Sequence, residues 1–137
     1  MNDEDSKFYA PDAALVLALA QAAIGSLPEA FRAQSQRVGL KILDFVPDDQ
    51  FEDLGLEDPY ELAALFQSGP ETLSLFRRPI LDEWAERGDV CLADLVTHIV
   101  VQELADHFGW KDAEITDHPS LAVAFRAAQR RVTERER

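Results

Sequence analysis

The chain has 137 residues, 47% of them apolar, and carries 13 lysines and arginines against 26 aspartates and glutamates, for a net charge of −13. The length predicts one domain, and the apolar fraction excludes disorder along the whole chain. Nucleic acids and anionic membranes require a basic surface on the protein, so the charge excludes both as partners. A single cysteine excludes an internal disulfide and a cysteine-cluster metal site, and it favours a reducing compartment.

The first part of the chain predicts two helices. Residues 1–10 are polar and acidic and are expected to be flexible. Pro11 and Asp12 are typical of a helix start, and they open an alanine- and leucine-rich helix that runs to about Gly25. This apolar helix is too short for a bilayer and lacks the basic residues that precede a signal peptide. We therefore expect a soluble, cytoplasmic protein. A shorter helical segment follows, through Arg32.

The chain then changes its period. Val38, Leu40 and Ile42 recur at the two-residue spacing of a half-buried strand, which Pro47 ends. The acidic segment 48–59 contains Gly and Asp-Pro turn signals, so it predicts a loop with one helical turn.

Two further strands are predicted at 61–67 and 72–77, joined by a turn at 68–70. Three strands between helices predict an α+β domain.

Two helices follow the strands. The first spans 79–87 and is ended by Gly88, and the second spans 90–108, with Asp89 as its cap and Gly109 as its stop.

A last helix is predicted from Asp117 to Ala128. The expected organisation is a flexible N-terminus at 1–10, a single domain at 11–129 and a charged tail at 130–137.

The helix predicted at 90–108 changes character half-way along. In its first half one face is apolar, formed by Leu92, Leu95, Val96 and Ile99. In its second half the same line is occupied by Gln102, Glu103, Asp106 and His107. Two interpretations stay open: the polar stripe faces water, or it forms the floor of a cleft, where buried charges must be paired, protonated or metal-bound.

The segment Gln102 to Gly109, with the sequence QELADHFG, resembles the HExxHHFG segment of the small bacterial zincin-like metallopeptidase family. Further segments resemble the family in the same order, and together they cover roughly residues 26–116. These segments are 26–31, 55–62, 75–81 and 95–101. The resemblance implies the minimal zincin-like fold, in which a small mixed or antiparallel three-stranded sheet packs on helices that include the motif helix 90–108.

The resemblance also implies a metal site. In an HExxH helix both histidines bind zinc, and the glutamate is the general base on the metal-bound water. Here Glu103 keeps the position of the base, whereas Gln102 and Asp106 occupy those of the histidines. The family's later glycine and third ligand correspond to Gly109 and Asp112.

Zinc favours nitrogen and sulfur ligands, whereas Gln102, Asp106 and Asp112 offer oxygen, which suits harder cations. Three alternatives stay open for the site. It is a metal-free pseudo-site in which Gln102 pairs with a carboxylate, a weak divalent-cation site that uses Asp106 and Asp112, or a rearranged site that uses His107. The sequence thus predicts a family member that is impaired or inactive as a zinc peptidase. The alternative is an oxygen-ligand metal-binding protein, or a regulatory protein that binds peptides without hydrolysis.

In zincin folds an edge strand pairs with an extended peptide substrate. By resemblance the strand 72–77 is the candidate, and Arg77 or Arg78 is available for a substrate carboxylate or simply neutralises nearby acidic groups. A peptide or protein ligand and a monomeric state are expected.

Three other residues are weaker candidates. His98 and His118 are possible ligands that fit packing or surface positions better, and Cys91 is expected to be a small core residue.

Overall fold

The computed structural model describes residues 11–110. The predictions for residues 1–10, for Asp112 and His118, for the helix at 117–128 and for the tail at 130–137 lie outside these residues. The helices are α1 (Ala13–Gly25), α2 (Glu29–Ser35), α3 (Asp48–Asp53), α4 (Arg77–Arg87) and α5 (Leu92–Phe108). The strands are β1 (Gly39–Leu43), β2 (Ala64–Gln67) and β3 (Thr72–Phe76), and a 3-10 turn spans Pro59–Glu61. This is the predicted α+β fold, with a small sheet packed on helices.

The three strands form a mixed sheet in the order β1-β3-β2. β1 runs parallel to β3, with Leu40 opposite Leu73, whereas β2 runs antiparallel to β3, with Phe66 opposite Leu73. The prediction that the strand 72–77 is an edge strand was wrong. β3 is hydrogen-bonded on both sides, so it has no free edge for a peptide, and the edge strands of the sheet formed by residues 11–110 are β1 and β2.

The core lies between α1, α5 and the sheet. The alanines of α1 at its contact with α5 are small, which allows the two helices to pack closely. The fully buried side chains of the core come from α1, β3, α4 and α5. They include Val16, Leu73, Leu75, Phe76, Ile80, Val96, Val100 and Leu104, all 0% exposed. Within residues 11–110, no helix is long and apolar enough to cross a membrane.

The glycines that end α4 and α5 agree with the prediction, whereas the starts of both helices differ from it. Gly88 and Gly109 end these helices with φ of 73°, a left-handed conformation that glycine adopts without steric cost. α4 begins at Arg77 rather than at Pro79, because proline is tolerated within the first turn, where its missing N–H has no helical partner.

The start of α5 differs from the prediction more clearly. The N-cap is Cys91, whose Sγ accepts a hydrogen bond from the backbone N–H of Asp94 at 3.4 Å, so the assignment of Asp89 as the cap was wrong. The expectation that Cys91 is a core residue was also wrong, because its side chain is exposed.

Candidate functional site

The second half of α5 carries the motif and lies beside the hairpin of β2 and β3. Leu104 and Ala105 are buried in the core, whereas Gln102 and Glu103 are partly buried and Asp106 is exposed. The polar stripe therefore lies at the rim of the core, where it is reached by solvent. On its other side the helix packs into the core through Leu104 and Ala105.

Gln102 and Asp106 are hydrogen-bonded to each other. The Nε2 amide group of Gln102 donates to Oδ1 of Asp106 over 3.0 Å. Residues four apart on a helix lie on one face, one turn from each other, so the backbone of α5 places this pair directly. The two side chains that occupy the histidine positions of the motif are thus bonded to one another.

Glu103 has a perturbed carboxyl group. Partial burial raises the pKa of Glu103 above its ordinary value, and the negative charge of Asp106 raises it further. The carboxyl of Glu103 consequently holds a proton more readily than an exposed glutamate does. Carboxyls with raised pKa values are characteristic of sites that exchange protons.

His107 contacts the hairpin of β2 and β3, and its ring also lies edge-on to Phe108 with 4.8 Å between centroids. Its Nε2 lies 2.7 Å from Oε2 of Glu71, and its ring stacks on Phe66 with 3.8 Å between ring centroids. Phe66 belongs to β2 and Glu71 lies immediately before β3, so His107 connects α5 to the hairpin. Neither partner was found by sequence reasoning, because these contacts join residues 36 and 41 positions apart for which no local pattern exists.

Aromatic side chains fix the end of the motif helix. Phe108 stacks on Trp110 with 5.7 Å between centroids, and Trp110 in turn packs on Phe31 of α2 at 4.5 Å. The indole Nε1 of Trp110 donates to Oε1 of Gln34 over 2.6 Å. These contacts hold the C-terminal end of α5 in place, and with it the orientation of the polar stripe.

The side chains at the two histidine positions of the motif, Gln102 and Asp106, are not the ligands that zinc prefers. An amide nitrogen has no lone pair to give to a metal, and the N–H of Gln102 already points at the carboxylate of Asp106. Zinc prefers imidazole and thiolate ligands, and neither is present at these two positions. Among residues 11–110, no group of three or more His, Cys, Asp or Glu residues is arranged to hold a metal ion.

Arg77 and Arg78 lie at the other end of β3 from the contact between Glu71 and His107. Five strand residues separate the two ends, or about 17 Å of extended chain. Arg77 binds Asp44, with 2.9 Å from Nε to Oδ1, and its Nη1 donates to the carbonyl oxygen of Pro11 over 3.0 Å. Its hydrogen bond and charge lower the pKa of Asp44, and the charge of Arg78 adds to this effect. The structure therefore does not bring the two arginines together with the motif residues.

His98 belongs to the contact between α4 and α5. Burial is the main cause that lowers the pKa of His98, and the positive charge of Arg87 lowers it further, against an opposing effect of Glu83. Since both charged residues are on α4, His98 interacts with that helix.

Comparison with known families identifies a family for most of the described chain. A family model described as zincin-like metallopeptidase matches residues 35–120, more than half of the chain, and the match includes all of α5. The comparison with curated proteins returns no match.

Proposed function

We propose that this chain, which belongs to the zincin-like metallopeptidase family, binds an extended peptide beside its motif helix without hydrolysing it through zinc. The observation that carries the proposal is the hydrogen bond between Gln102 and Asp106. Zinc peptidases of this family type hold the metal between two imidazoles one helical turn apart. In this chain the same two positions bond to each other, and the family's zinc chemistry has no matching ligands there.

The edge strand β2 supports the peptide-binding part of the proposal. Among residues 11–110, β2 pairs with β3 alone, and it is the edge strand beside the motif helix α5. An edge strand presents unpaired backbone N–H and C=O groups, to which an extended peptide adds as a further strand. The ring pair of Phe66 and His107 lies at the same place and offers an apolar surface to peptide side chains.

The metal part of the proposal is tested by restoring the histidines. We expect the unmodified protein to purify without stoichiometric zinc and the double variant Gln102→His plus Asp106→His to gain zinc, as measured by elemental analysis. Any peptidase activity that the double variant gains is expected to disappear when Glu103→Gln is added, because Glu103 occupies the position of the general base.

A matched control shows whether zinc binding requires the motif positions or only two histidines one turn apart on any helix. Asp82→His plus Glu86→His places the same pair one turn apart on the outer face of α4. Stoichiometric zinc in the unmodified protein would overturn the proposal. Equal zinc binding by the two double variants would show that the motif helix has kept nothing of the site.

The peptide-binding part is tested by nuclear magnetic resonance. When extended peptides of mixed sequence are added, we expect the backbone amide signals of β2 (Ala64–Gln67) and the signals of His107 to shift together. Shifts confined to β1, the other edge of the sheet, would contradict the proposal.

A further inference from the structure

A cavity lies away from the motif helix, between the 3-10 turn and α4. It has a volume of about 290 Å³ and is lined by Tyr60, Arg78, Leu81 and Asp82. Its size is at the lower end of the range of small-molecule sites, about 300–1,000 Å³, and therefore suits a ligand smaller than most drugs. Tyr60 belongs to the segment 55–62 and Arg78 and Leu81 belong to the segment 75–81, both of which resemble the family, and Asp82 follows directly.

The apolar walls of this cavity are held by the fold. The backbone N–H of Tyr60 donates to Oδ1 of Asp58 over 2.9 Å, and the Tyr60 ring packs edge-on against Phe45 with 5.0 Å between centroids. Tyr60 is nevertheless 41% exposed, whereas Leu81 is almost fully buried. An exposed aromatic ring and a buried leucine thus offer an apolar contact that is already in place.

The charged groups of the cavity have opposite sign. Arg78 and Asp82 are both exposed and lie one turn apart on α4. Among residues 11–110, no carboxylate lies within 4.0 Å of the Arg78 guanidinium, in contrast to the neighbouring Arg77, which is bound to Asp44. The cavity therefore presents one cation and one anion that do not form an ion pair with each other.

We propose that this cavity binds a free α-amino acid with an apolar side chain. Arg78 binds the carboxylate, Asp82 binds the ammonium group, and the side chain of the ligand lies on Tyr60 and Leu81. A zwitterion satisfies both charges at once, whereas a simple anion would leave Asp82 next to a like charge. The proposal does not depend on the function proposed for the motif helix, because no motif residue lines the cavity.

The test is a titration of the isotopically labelled full chain with L-leucine, followed by nuclear magnetic resonance. We expect saturable shifts of the backbone amides of Tyr60, Arg78, Leu81 and Asp82. N-acetyl-L-leucine lacks the ammonium group and L-leucinamide lacks the carboxylate, so each is expected to bind about tenfold more weakly, the effect of one lost hydrogen bond to a charged group.

Variants test whether Arg78 and Asp82 each contribute to leucine binding. Arg78→Gln and Asp82→Asn are each expected to weaken leucine binding about tenfold, and Arg78→Lys is expected to retain part of it. Arg37→Gln is the matched control, because it removes an exposed arginine outside the cavity and is expected to leave binding unchanged. Glu103→Gln, in the motif helix, is also expected to leave it unchanged.

Several results would overturn the inference. Equal binding of leucine and its two analogues would show that the charges have no role. Unweakened binding by Arg78→Gln, or no saturable shift up to the solubility limit of leucine, would exclude the site. Leucine-induced shifts that map to the motif helix instead would also refute the inference, and they would leave the proposal for that helix standing.

Discussion

The buried side chains and the polar stripe of α5 use the same helix in different ways. Leu95, Val96, Val100 and Leu104 are at most 2% exposed and pack against α1 and the sheet. In the polar stripe, Gln102 and Asp106 bond to each other at the surface, and His107 bonds to Glu71. The buried side chains are held by many non-directional contacts, whereas these three polar side chains have specific partners. The stability and the chemistry of this helix therefore depend on different residues.

The largest expected difference between the buried side chains and the polar stripe is in stability. Leu104→Ala removes a fully buried side chain and leaves a cavity, so it is expected to lower the free energy of unfolding by about 3 kcal/mol. Gln102→Ala removes one side chain at the solvent-reached rim and is expected to cost less than about 0.5 kcal/mol. Urea denaturation of both variants measures the difference. Equal losses would show that the polar stripe is part of the structural core.

A smaller effect is expected from the contact between α5 and the hairpin. In a double-mutant cycle, His107→Gln and Glu71→Gln are expected to show a coupling energy of about 1 kcal/mol, because the two groups are 2.7 Å apart and only partly exposed. The coupling should weaken at high salt if it is electrostatic. Additive effects of the two changes would mean that the stacking of His107 on Phe66 fixes the ring without help from Glu71.

The smallest effect concerns the pH dependence of stability. The pKa of Glu103 is raised in the folded protein, so its ionisation destabilises the fold as the pH rises through that raised value, and the penalty is absent below the ordinary carboxyl pKa of about 4.3. Glu103→Gln is therefore expected to stabilise the protein at pH 7, by less than about 0.5 kcal/mol because the group is partly exposed to solvent.

The difference between Glu103→Gln and the unmodified protein is expected to vanish near pH 3, about one unit below the ordinary carboxyl pKa, where both carry a neutral side chain at this position. Urea denaturation at the two pH values checks the sign. A variant that is less stable at pH 7 would show that ionised Glu103 is stabilised by a partner.

Features that depend on neighbours in the chain could be predicted from the sequence. The glycines that end α4 and α5 and the alternation of β1 follow from backbone conformation and strand periodicity. A bond between Gln102 and a carboxylate is one of the alternatives that the sequence leaves open, and the structure gives Asp106 as the partner, one helical turn away. The cap of α5 could not be settled in this way, because Asp89 and Cys91 lie close together and cysteine has no strong preference as a cap.

Features that join distant segments could not be predicted. β3 is central because it pairs with β1, and this pairing joins residues 33 positions apart in the sequence, such as Gly39 and Thr72. The ion pair of Arg77 with Asp44 and the contact of His107 with Glu71 likewise depend on the completed fold. For this reason the partners of Arg77 and His107 could be identified only from the structure, whereas the motif could be recognised from the sequence alone.

The chain contains two tryptophans, Trp84 in α4 and Trp110 after α5, and they contact the chain at opposite ends of α5. The indole N–H of Trp84 donates to the carbonyl of Val90 before the helix, and that of Trp110 donates to Gln34 beyond its C-terminal end. The protein therefore carries an intrinsic fluorophore at each end of this helix. A variant that keeps only Trp110 would report optically on the motif end alone, and one that keeps only Trp84 would report on the junction with α4.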